Sequence, residues 1–254
     1  MINRFLIIIW FCLRPKFYLH FFSLIRRKFL TNHDTNENSK KAYEWAKLNA
    51  ISYIEALKKL EINGEALGLD NDTIKEGKKL ELRSAVKMGG SGHIHLLYDC
   101  VRILKVKNII ETGVAYGWSS LAILKAISQN GMGKLYSVDM PYPRKKNEND
   151  VGIVVPESLR KNWTLIRKPD NPGIIDALNK VGGKVDLCHY DSDKSWWGRH
   201  YAYSILWKSL NSRGLFISDD IQDNLYFSEF VKKKLLNFAV IEFEGKFVGL
   251  IRKE

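Results

Sequence analysis

The sequence predicts an α/β protein with a Rossmann-like, doubly wound sheet of seven mostly parallel strands, a C-terminal antiparallel hairpin and additional N-terminal helices. From residue 107 onward, short apolar runs alternate with helical patterns, which is typical of a parallel sheet with helices on both faces. Near the C-terminus, Gly245 separates two further apolar runs, as expected of a hairpin. The chain has 254 residues, of which 45% are hydrophobic, so it can form one such domain with an extension.

The elements follow in order along the chain. Residues 40–60 have helical periodicity, a looser helical stretch with glycine turns continues to about residue 90, and Ser91 is a candidate cap for a helix over 92–104. The predicted strands are 107–111, 134–139, 162–168, 184–190 and 214–220, followed by the hairpin strands 238–244 and 246–253. The predicted helices between them are 118–128, 171–180, 196–210 and 227–236.

The first thirty residues differ from the rest in charge. The net charge is +12, and half of it comes from six Lys and Arg residues within 1–30, a segment without acids. Its apolar run 5–13 is too short to span a bilayer, which needs about 20 residues. Over 16–30, two stripes recur at helical spacing: Lys16, His20, Ser23 and Arg27, and Phe17, Phe21, Leu24 and Ile25. This pattern predicts a basic amphipathic segment on an anionic membrane surface, and the alternative is a helix docked on its own domain or on a second copy.

The chain is expected to have three parts. Residues 1–30 are the membrane-surface segment, 31–90 a linker with N-terminal helices, and 91–254 the main domain. Three widely spaced cysteines without a CxxC pair indicate reduced thiols in a cytoplasmic protein, peripheral on the inner face of the membrane if 1–30 binds there. Outside 1–30 the chain is only mildly basic, which argues against a nucleic-acid partner, and a homo-oligomer stays open.

Acidic residues gather at the predicted strand ends. They are Glu111, Asp139, Asp170, Asp191, Asp219 and Asp220. The carboxyl ends of parallel strands share one edge, where ligands of such sheets bind. Like charges on one edge repel each other, so a bound group is a better explanation than solvation alone.

A glycine turn follows the first strand. In "ETGVAYGWSS", Gly113 and Gly117 allow a tight turn and a close backbone approach to a ligand. Ala115 breaks the GxGxxG dinucleotide pattern, and the ending of a phosphate-binding loop is absent. An acid before this turn suits a cationic or zwitterionic ligand, and Asp139 could accept hydrogen bonds from both hydroxyls of a ribose.

These stretches resemble a known family. "IIETGVAYGWSSLAI" followed by "LYSVD" resembles the first two motifs of class I S-adenosylmethionine (SAM) methyltransferases. "YDSDKSWW" and "GLFISDDI" resemble the metal motif and the following strand end of the cation-dependent O-methyltransferases of the catechol and caffeoyl-CoA type. "GIVVPESLRKNWTL" is similar to a stretch of bacterial methyltransferases of uncertain substrate, and the whole resemblance covers roughly residues 90–254.

The resemblance implies roles for single residues. It places Glu111, Gly113, Gly117 and Ser119 around the methionine part of SAM, Asp139 at the ribose and Asp170 near the adenine. It also places Asp191, Asp219 and Asp220 on a divalent cation such as Mg²⁺, with Lys194 as the general base. The chain departs from the family at Asp220, where Asn is usual, and at Trp197, where Tyr is usual.

Chemistry accounts for such a set. A carboxylate-held cation lowers the pKa of a hydroxyl, and a lysine with a depressed pKa could take its proton. Trp196 or Trp197 would then form a wall for the acceptor. The alternative is that Asp193 and Lys194 form a surface ion pair and Asp191 caps a helix.

Three functions remain open at this point. The first is SAM-dependent O-methylation of a small molecule or glycan, with or without a metal. The second is methylation of a nucleic acid, which "HYDSDK" does not favour because base-amine enzymes end this strand differently. The third is a catalytically silent scaffold at a membrane surface.

Overall fold

The computed structural model describes residues 2–143 and 148–254, with side chains from Leu6 onward. Its helices are α1 Ile2–Cys12, α2 Tyr18–Arg27, α3 Asn36–Asn49, α4 Tyr53–Lys59, α5 Asn71–Glu81, α6 Ile94–Leu104, α7 Trp118–Asn130, α8 Asp170–Val181, α9 Trp196–Ser209 and α10 Tyr226–Lys234. Its strands are β1 Asn108–Thr112, β2 Lys134–Val138, β3 Trp163–Ile166, β4 Val185–Tyr190, β5 Leu210–Ser218, β6 Phe238–Phe243 and β7 Lys246–Arg252. Three short 3-10 helices span Pro15–Phe17, Glu157–Asn162 and Ile221–Asp223.

The predicted fold class is confirmed. The seven strands form one sheet in the order β3-β2-β1-β4-β5-β7-β6. Strands β1 to β5 are parallel, whereas β7 is antiparallel to both β5 and β6. The strand order reverses between β1 and β4, which is the position where doubly wound sheets bind their ligands.

The parallel strands end in register. The last paired residues are Thr112 with Val138 and Tyr190, Val138 with Ile166, and Tyr190 with Ser218. The residues that follow these strand ends therefore start from one common edge of the sheet. Gly113, Asp139, Asp191 and Asp219 are all such residues.

Local side chains set the helix boundaries in the N-terminal part. The predicted helix over 40–60 is two helices, because Ala50 pairs with Val240 beside the sheet and Ser52 starts α4 with a capping box to Glu55. Helix α3 begins at Asn36, within the polar stretch expected to be a linker. Ser91 does not cap α6, since the imidazole of His93 accepts the hydrogen bond from Leu96 N instead.

The helices of residues 36–81 share the cores of the sheet. Ala56 and Leu57 of α4, and Leu60 directly after it, lie in the same buried cluster as β1 and β2 residues. Ala46 of α3 belongs to the cluster on the other face of the sheet. These helices are therefore held against the apolar faces of the sheet by the hydrophobic effect.

Helices α1 and α2 pack on each other through aromatic rings. Phe11 is buried among Trp10, Phe17 and Phe21, which lie 5.1–6.5 Å from it between ring centroids. Within the described chain, no one helix is long and apolar enough to cross a bilayer. The segments Leu6–Cys12 and Pro15–Arg27, bent by 105°, meet the length and composition criteria only as a pair.

Candidate active site

Two cavities open at the carboxyl edge of the sheet. The Asp139 cavity has a volume of about 300 Å³ and is lined by residues that include His20, Arg27, Gly113, Asp139, Asp170 and Asp191. The Lys194 cavity has a volume of about 470 Å³ and is lined by residues that include Gly113, Ser119, Asp191, Lys194, Asp219 and Asp220. Because Gly113, Tyr142, Asp191 and Ser192 line both, the two cavities meet at the point where the strand order reverses.

Asp139 lies on the floor of the Asp139 cavity. Its side chain is only 6% exposed, with Oδ2 3.3 Å from Arg167 Nη1 and accepting a 3.3 Å hydrogen bond from Ala115 N. Burial raises the pKa of this carboxyl to about 6, against the lowering effect of Arg167. At neutral pH the group is therefore an ionised acceptor that faces a cavity.

Asp170 stands beside it at the start of α8. Its Oδ2 accepts a 2.6 Å hydrogen bond from Ser192 Oγ, which links α8 to the loop after β4. Burial raises the pKa of Asp170 to about 6. Asp139 and Asp170, which the sequence resemblance assigns to the ribose and to the adenine, both line this cavity.

Gly113 separates the two cavities. Its φ of +81° favours glycine, and a Cβ at this position would lie 2.1 Å from the carbonyl oxygen of Asp191. The β1 and β4 loops can thus approach each other only if residue 113 lacks a side chain. Any larger residue would displace the loop that carries Asp191.

Lys194 occupies the centre of the predicted metal set. Its ammonium contacts the carboxylate of Asp191 and lies 2.9 Å from Oδ2 of Asp220, which also pairs with Lys246 at 3.0 Å. Burial favours the neutral amine, but the carboxylates of Asp191 and Asp220 outweigh it and raise the pKa of Lys194. The expected general base requires a lowered pKa, so the sequence hypothesis about Lys194 does not fit this charge environment.

The same ion pairs affect whether the predicted carboxylates could bind a divalent metal ion. Among residues 2–143 and 148–254, no group of three or more His, Cys, Asp or Glu side chains is placed to hold a metal ion. Asp191 and Asp220 face an ammonium, and Oδ2 of Asp219 lies 3.6 Å from Nε2 of His189. The three carboxylates are therefore compensated by protein cations, and the expected triad of Asp191, Asp219 and Asp220 does not fit a divalent ion in this arrangement.

Glu111 is placed behind the site. Its carboxylate is fully buried and accepts hydrogen bonds from Ser120 Oγ at 2.5 Å and Ser137 Oγ at 2.6 Å. It lines neither cavity, so it does not contact the predicted methionine position directly. Glu111 holds β1, β2 and α7 together at the base of the glycine turn.

His189, which the sequence pattern suggests is only a packed residue, lies between Glu111 and Asp219. Its two ring nitrogens are each 3.6 Å from a carboxylate oxygen of these residues. Burial disfavours the charged ring, but Asp219 and Glu111 raise the pKa of His189 to about 10. The strand thus places an imidazolium directly beneath the acidic edge.

Of the other two predicted SAM residues, Gly117 has a packing role and Ser119 faces a cavity. Gly117 precedes α7 at φ +91°, and a Cβ there would lie 2.8 Å from Gly152 Cα. Ser119 is in the first turn of α7 and lines the Lys194 cavity. The unpaired N–H groups of that turn carry a partial positive charge, which favours an anion at this end of the cavity.

Arg199 is a supporting residue that sequence reasoning missed. It is fully buried in α9 and donates hydrogen bonds to the carbonyl oxygens of Asp219 and Asp220 at 3.1 and 2.8 Å. It also donates to Ser218 Oγ at 2.8 Å. Arg199 therefore fixes the end of β5, and its position after two tryptophans in a helix gave no signal for this.

Trp196 and Trp197 do not form a wall of either cavity. Trp197 Nε1 donates to the carbonyl oxygen of Thr31 at 3.1 Å, and Trp196 stacks on His33 with 4.1 Å between ring centroids. The two rings instead attach residues 31–34 to α9. The pair of tryptophans after the charged "DSDK" stretch thus holds the N-terminal segment.

Other lining residues were not expected from the sequence. The loop 89–92 and four residues of the C-terminal hairpin, Phe243, Glu244, Lys246 and Val248, line the Lys194 cavity. His20, Leu24 and Arg27 of α2 line the Asp139 cavity. The sequence offered two weak indications of these lining residues, which are the glycines of "GGSG" and the helical spacing of the three α2 residues.

Comparisons with known proteins agree with this architecture. Residues 110–221 match a family model described as a methyltransferase domain. A comparison with curated protein sequences gave no match. Among solved structures, an O-methyltransferase of tomaymycin synthesis from Streptomyces achromogenes, in complex with SAM, has a TM-score of 0.56 at 14% identity, covering 74% of this chain and 92% of that one.

Two further solved structures are similar to the same extent. An O-methyltransferase from Bacillus cereus in complex with S-adenosylhomocysteine (SAH) has a TM-score of 0.55 at 14% identity, covering 82% of this chain and all of that one. An SAH-bound methyltransferase from Podospora anserina has a TM-score of 0.54 at 14% identity, covering 87% and 97%. At such identities these likenesses establish the fold.

The family match lies on the segment that carries the glycine turn, Asp139, Asp191 and the end of β5. The sheet order and the solved structures extend the likeness to the surrounding elements. The resemblance found in the sequence is confirmed: residues 110–221 match a methyltransferase domain, and the chain has the fold of the SAM- and SAH-bound methyltransferase structures.

Proposed function

We propose that this protein is a SAM-dependent O-methyltransferase that acts on a hydroxyl of a small molecule or glycan. The observation that carries the proposal is the register of β1, β2 and β4, which brings Gly113, Asp139 and Asp191 around two cavities that meet. These cavities lie at the strand-order reversal of a methyltransferase domain. Two of the structurally similar proteins are O-methyltransferases, which supports oxygen as the acceptor atom.

The two cavities fit the two ends of SAM. The Asp139 cavity offers ionised Asp139 for the ribose hydroxyls and Asp170 for the adenine side. The Lys194 cavity offers the first turn of α7 and Ser119 for the carboxylate of the methionine part. Gly113 lines both cavities where they meet, and its missing Cβ leaves room for the loop that carries Asp191.

Methyl transfer is a single displacement. SAM supplies a methyl group on a sulfonium, the C–S bond breaks as the C–O bond forms, and the hydroxyl of the acceptor loses its proton. We assign that proton to the carboxylate of Asp191, because it lies where the two cavities meet, and burial and Asp219 raise its pKa to about 6 against the lowering effect of Lys194. Lys194 neutralises the acids around it and holds Asp191 in position. No step in this scheme uses a metal, since Asp191, Asp219 and Asp220 each lie beside a protein cation.

A catalytically silent scaffold is the alternative, and it would bind SAM without turnover. Nucleic-acid methylation has no supporting observation in the cavities, where Arg27, Lys194 and Lys246 already pair with acids. The acceptor assay therefore separates an enzyme from a scaffold. It also separates hydroxyl acceptors from nucleic acid.

We also propose that residues 1–30 place the protein on an anionic membrane surface, with 91–254 as the catalytic domain. The outer side of the α1–α2 pair exposes apolar side chains, with Leu19 87% and Phe29 83% exposed. The basic residues Lys16, Arg26 and Lys28 are exposed around them. Not all of the predicted apolar stripe could contact lipid, because Phe17 is buried and Leu24 lines the Asp139 cavity.

The test of the proposed function is product formation. The full chain is incubated with methyl-labelled SAM and separate panels of phenolic compounds, glycans and RNA, and transfer and SAH release are measured. Methylated hydroxyl product that is lost in Asp191→Asn, while that variant still binds SAH, would support the proposal. SAH binding without transfer to any panel would favour the scaffold, and transfer to RNA alone would contradict the O-methyltransferase assignment.

A further inference from the structure

Helix α2 forms one wall of the Asp139 cavity. His20, Leu24 and Arg27 lie at spacings of four and three residues, so they share one face of the helix. The opposite face exposes Leu19, Phe22 and Arg26. His20 and Arg27 of the predicted polar stripe thus face the cavity that contains Asp139 and Asp170, together with Leu24 of the apolar stripe.

One ion pair attaches the end of this helix to the floor of the site. Arg27 Nη1 lies 2.5 Å from Oδ2 of Asp193, and the Arg27 side chain is 15% exposed. Oδ1 of Asp193 accepts hydrogen bonds from the backbone N and the Oγ of Ser195, which caps α9. The Arg27–Asp193 pair therefore joins α2 to the loop after β4 that also carries Asp191 and Ser192.

The segment after Arg27 is held on the domain by more contacts than helix α2, which precedes it. After α2, the segment 31–34 is fixed by Trp197, by the stacking of His33 on Trp196, and by Asp34, which accepts a 2.8 Å hydrogen bond from the backbone N of Trp196. Helix α2 itself contains no fully buried residue. An element with few buried contacts opens at a lower free energy than the core, so α2 can move while 31–34 stay in place.

We propose that α2 is a lid over the cofactor cavity, with His20, Leu24 and Arg27 as its cofactor-facing residues and the Arg27–Asp193 pair as its closure. This rests on the proposed function, because it takes the ligand of the Asp139 cavity to be the adenosine part of SAM. The lid keeps water from that part while the methyl group is transferred, and the cofactor enters and leaves when the pair separates. None of the three lid residues belongs to the matched methyltransferase domain.

The first test measures SAH binding and dissociation in full-length variants. Arg27→Gln removes the closing charge, and Arg26→Gln is the matched control, with the same charge change on the exposed face of the same helix. We expect dissociation of SAH to be faster by on the order of tenfold in Arg27→Gln, since breaking one partner of a partly buried pair acts mainly on the off-rate. Arg26→Gln should match the wild type. Equal rates in all three proteins would overturn the lid, whereas a wild type that does not bind SAH would overturn the proposed function itself.

A second test needs no variant. Trypsin cleaves after Arg26, Arg27 and Lys28 only when this turn is released from the domain, so SAH should slow cleavage there several-fold. Cleavage after the exposed Lys58 and Lys59 on α4 serves as the control for general stabilisation by the ligand. If SAH slows both regions equally, or neither, α2 does not close over the cofactor.

Discussion

The ammonium of Lys194 contacts the carboxylate of Asp191 at the edge of the sheet where the two cavities meet. This places a protein cation where the sequence resemblance predicts a metal ion. With Lys246 on Asp220 and His189 beneath Asp219, each acid of the predicted triad has a positive partner. The repulsion among these carboxylates is thus offset within the chain.

The first prediction is that a divalent metal is dispensable. Methyl transfer to an accepted substrate should persist in EDTA, because the acids that would bind the ion are already paired. Titration of the full chain with Mg²⁺ or Mn²⁺ alone should show no tight site. Loss of activity in EDTA that returns with Mg²⁺ would contradict this and restore Asp191, Asp219 and Asp220 as ligands.

The second prediction concerns pH and cofactor binding. Ribose hydroxyls donate to ionised Asp139, so binding selects the carboxylate, whose pKa in the free protein is raised by burial to about 6. Affinity for SAH should therefore be constant above pH 7 and fall by about tenfold per unit below pH 6. Calorimetry at pH 6 in two buffers of different ionisation enthalpy should show proton release. Proton uptake, or affinity that is independent of pH, would exclude Asp139 as the ribose acceptor.

The third prediction separates packing from ligand contact at the glycine turn. Gly117→Ala should destabilise the fold by about 1–3 kcal/mol, because the residue has φ +91° and its Cβ would meet Gly152 Cα at 2.8 Å. Gly182→Ala is the control, since it has φ +82° but nothing within 4 Å of its Cβ. Urea unfolding should show the larger loss for Gly117→Ala. Equal losses would mean that the contact with Gly152 costs nothing.

The fourth prediction concerns the membrane. Full-length protein should co-sediment with phosphatidylserine vesicles and less so as salt rises, since the exposed apolar residues are surrounded by basic ones. Phe22→Ser should weaken binding by about tenfold, which is the effect of losing one buried large side chain. Leu235→Ser is the control, because this leucine is also exposed but lies on a different part of the protein, and the variant should bind normally. Failure of the wild type to sediment with these vesicles would leave residues 1–30 with the lid role alone.

Much of the fold could be predicted because the spacing of apolar residues and the residue types at strand ends are local features of the sequence. The strands, their helices and the hairpin follow from apolar runs and turn residues. The division of 40–60 into two helices could not be predicted, because it depends on a contact between Ala50 and Val240 that is remote in sequence.

The candidate site was predictable to the extent that it lies at strand ends. Asp139, Asp170, Asp191 and Gly113 all line the cavities as expected. The charge state of Lys194 was not predictable, since it depends on Asp220 and on the depth of the pocket. Docking of this helix on its own domain was one of the alternatives, but its contact with the site could not be predicted because Arg27 and Asp193 are 166 positions apart.

The central claim is that the Asp139 cavity binds the nucleoside part of SAM, and isothermal titration of the full chain with SAH tests it most directly. The wild type should bind one SAH per chain, and Asp139→Asn should weaken binding by on the order of 1–3 kcal/mol, the cost of losing a hydrogen bond to a charged group. Asp176→Asn, which removes an acid from the partly exposed pair with Lys168, should bind like the wild type. Saturable binding that depends on Asp139 is the result we predict, and absence of binding by the folded wild type would contradict the account.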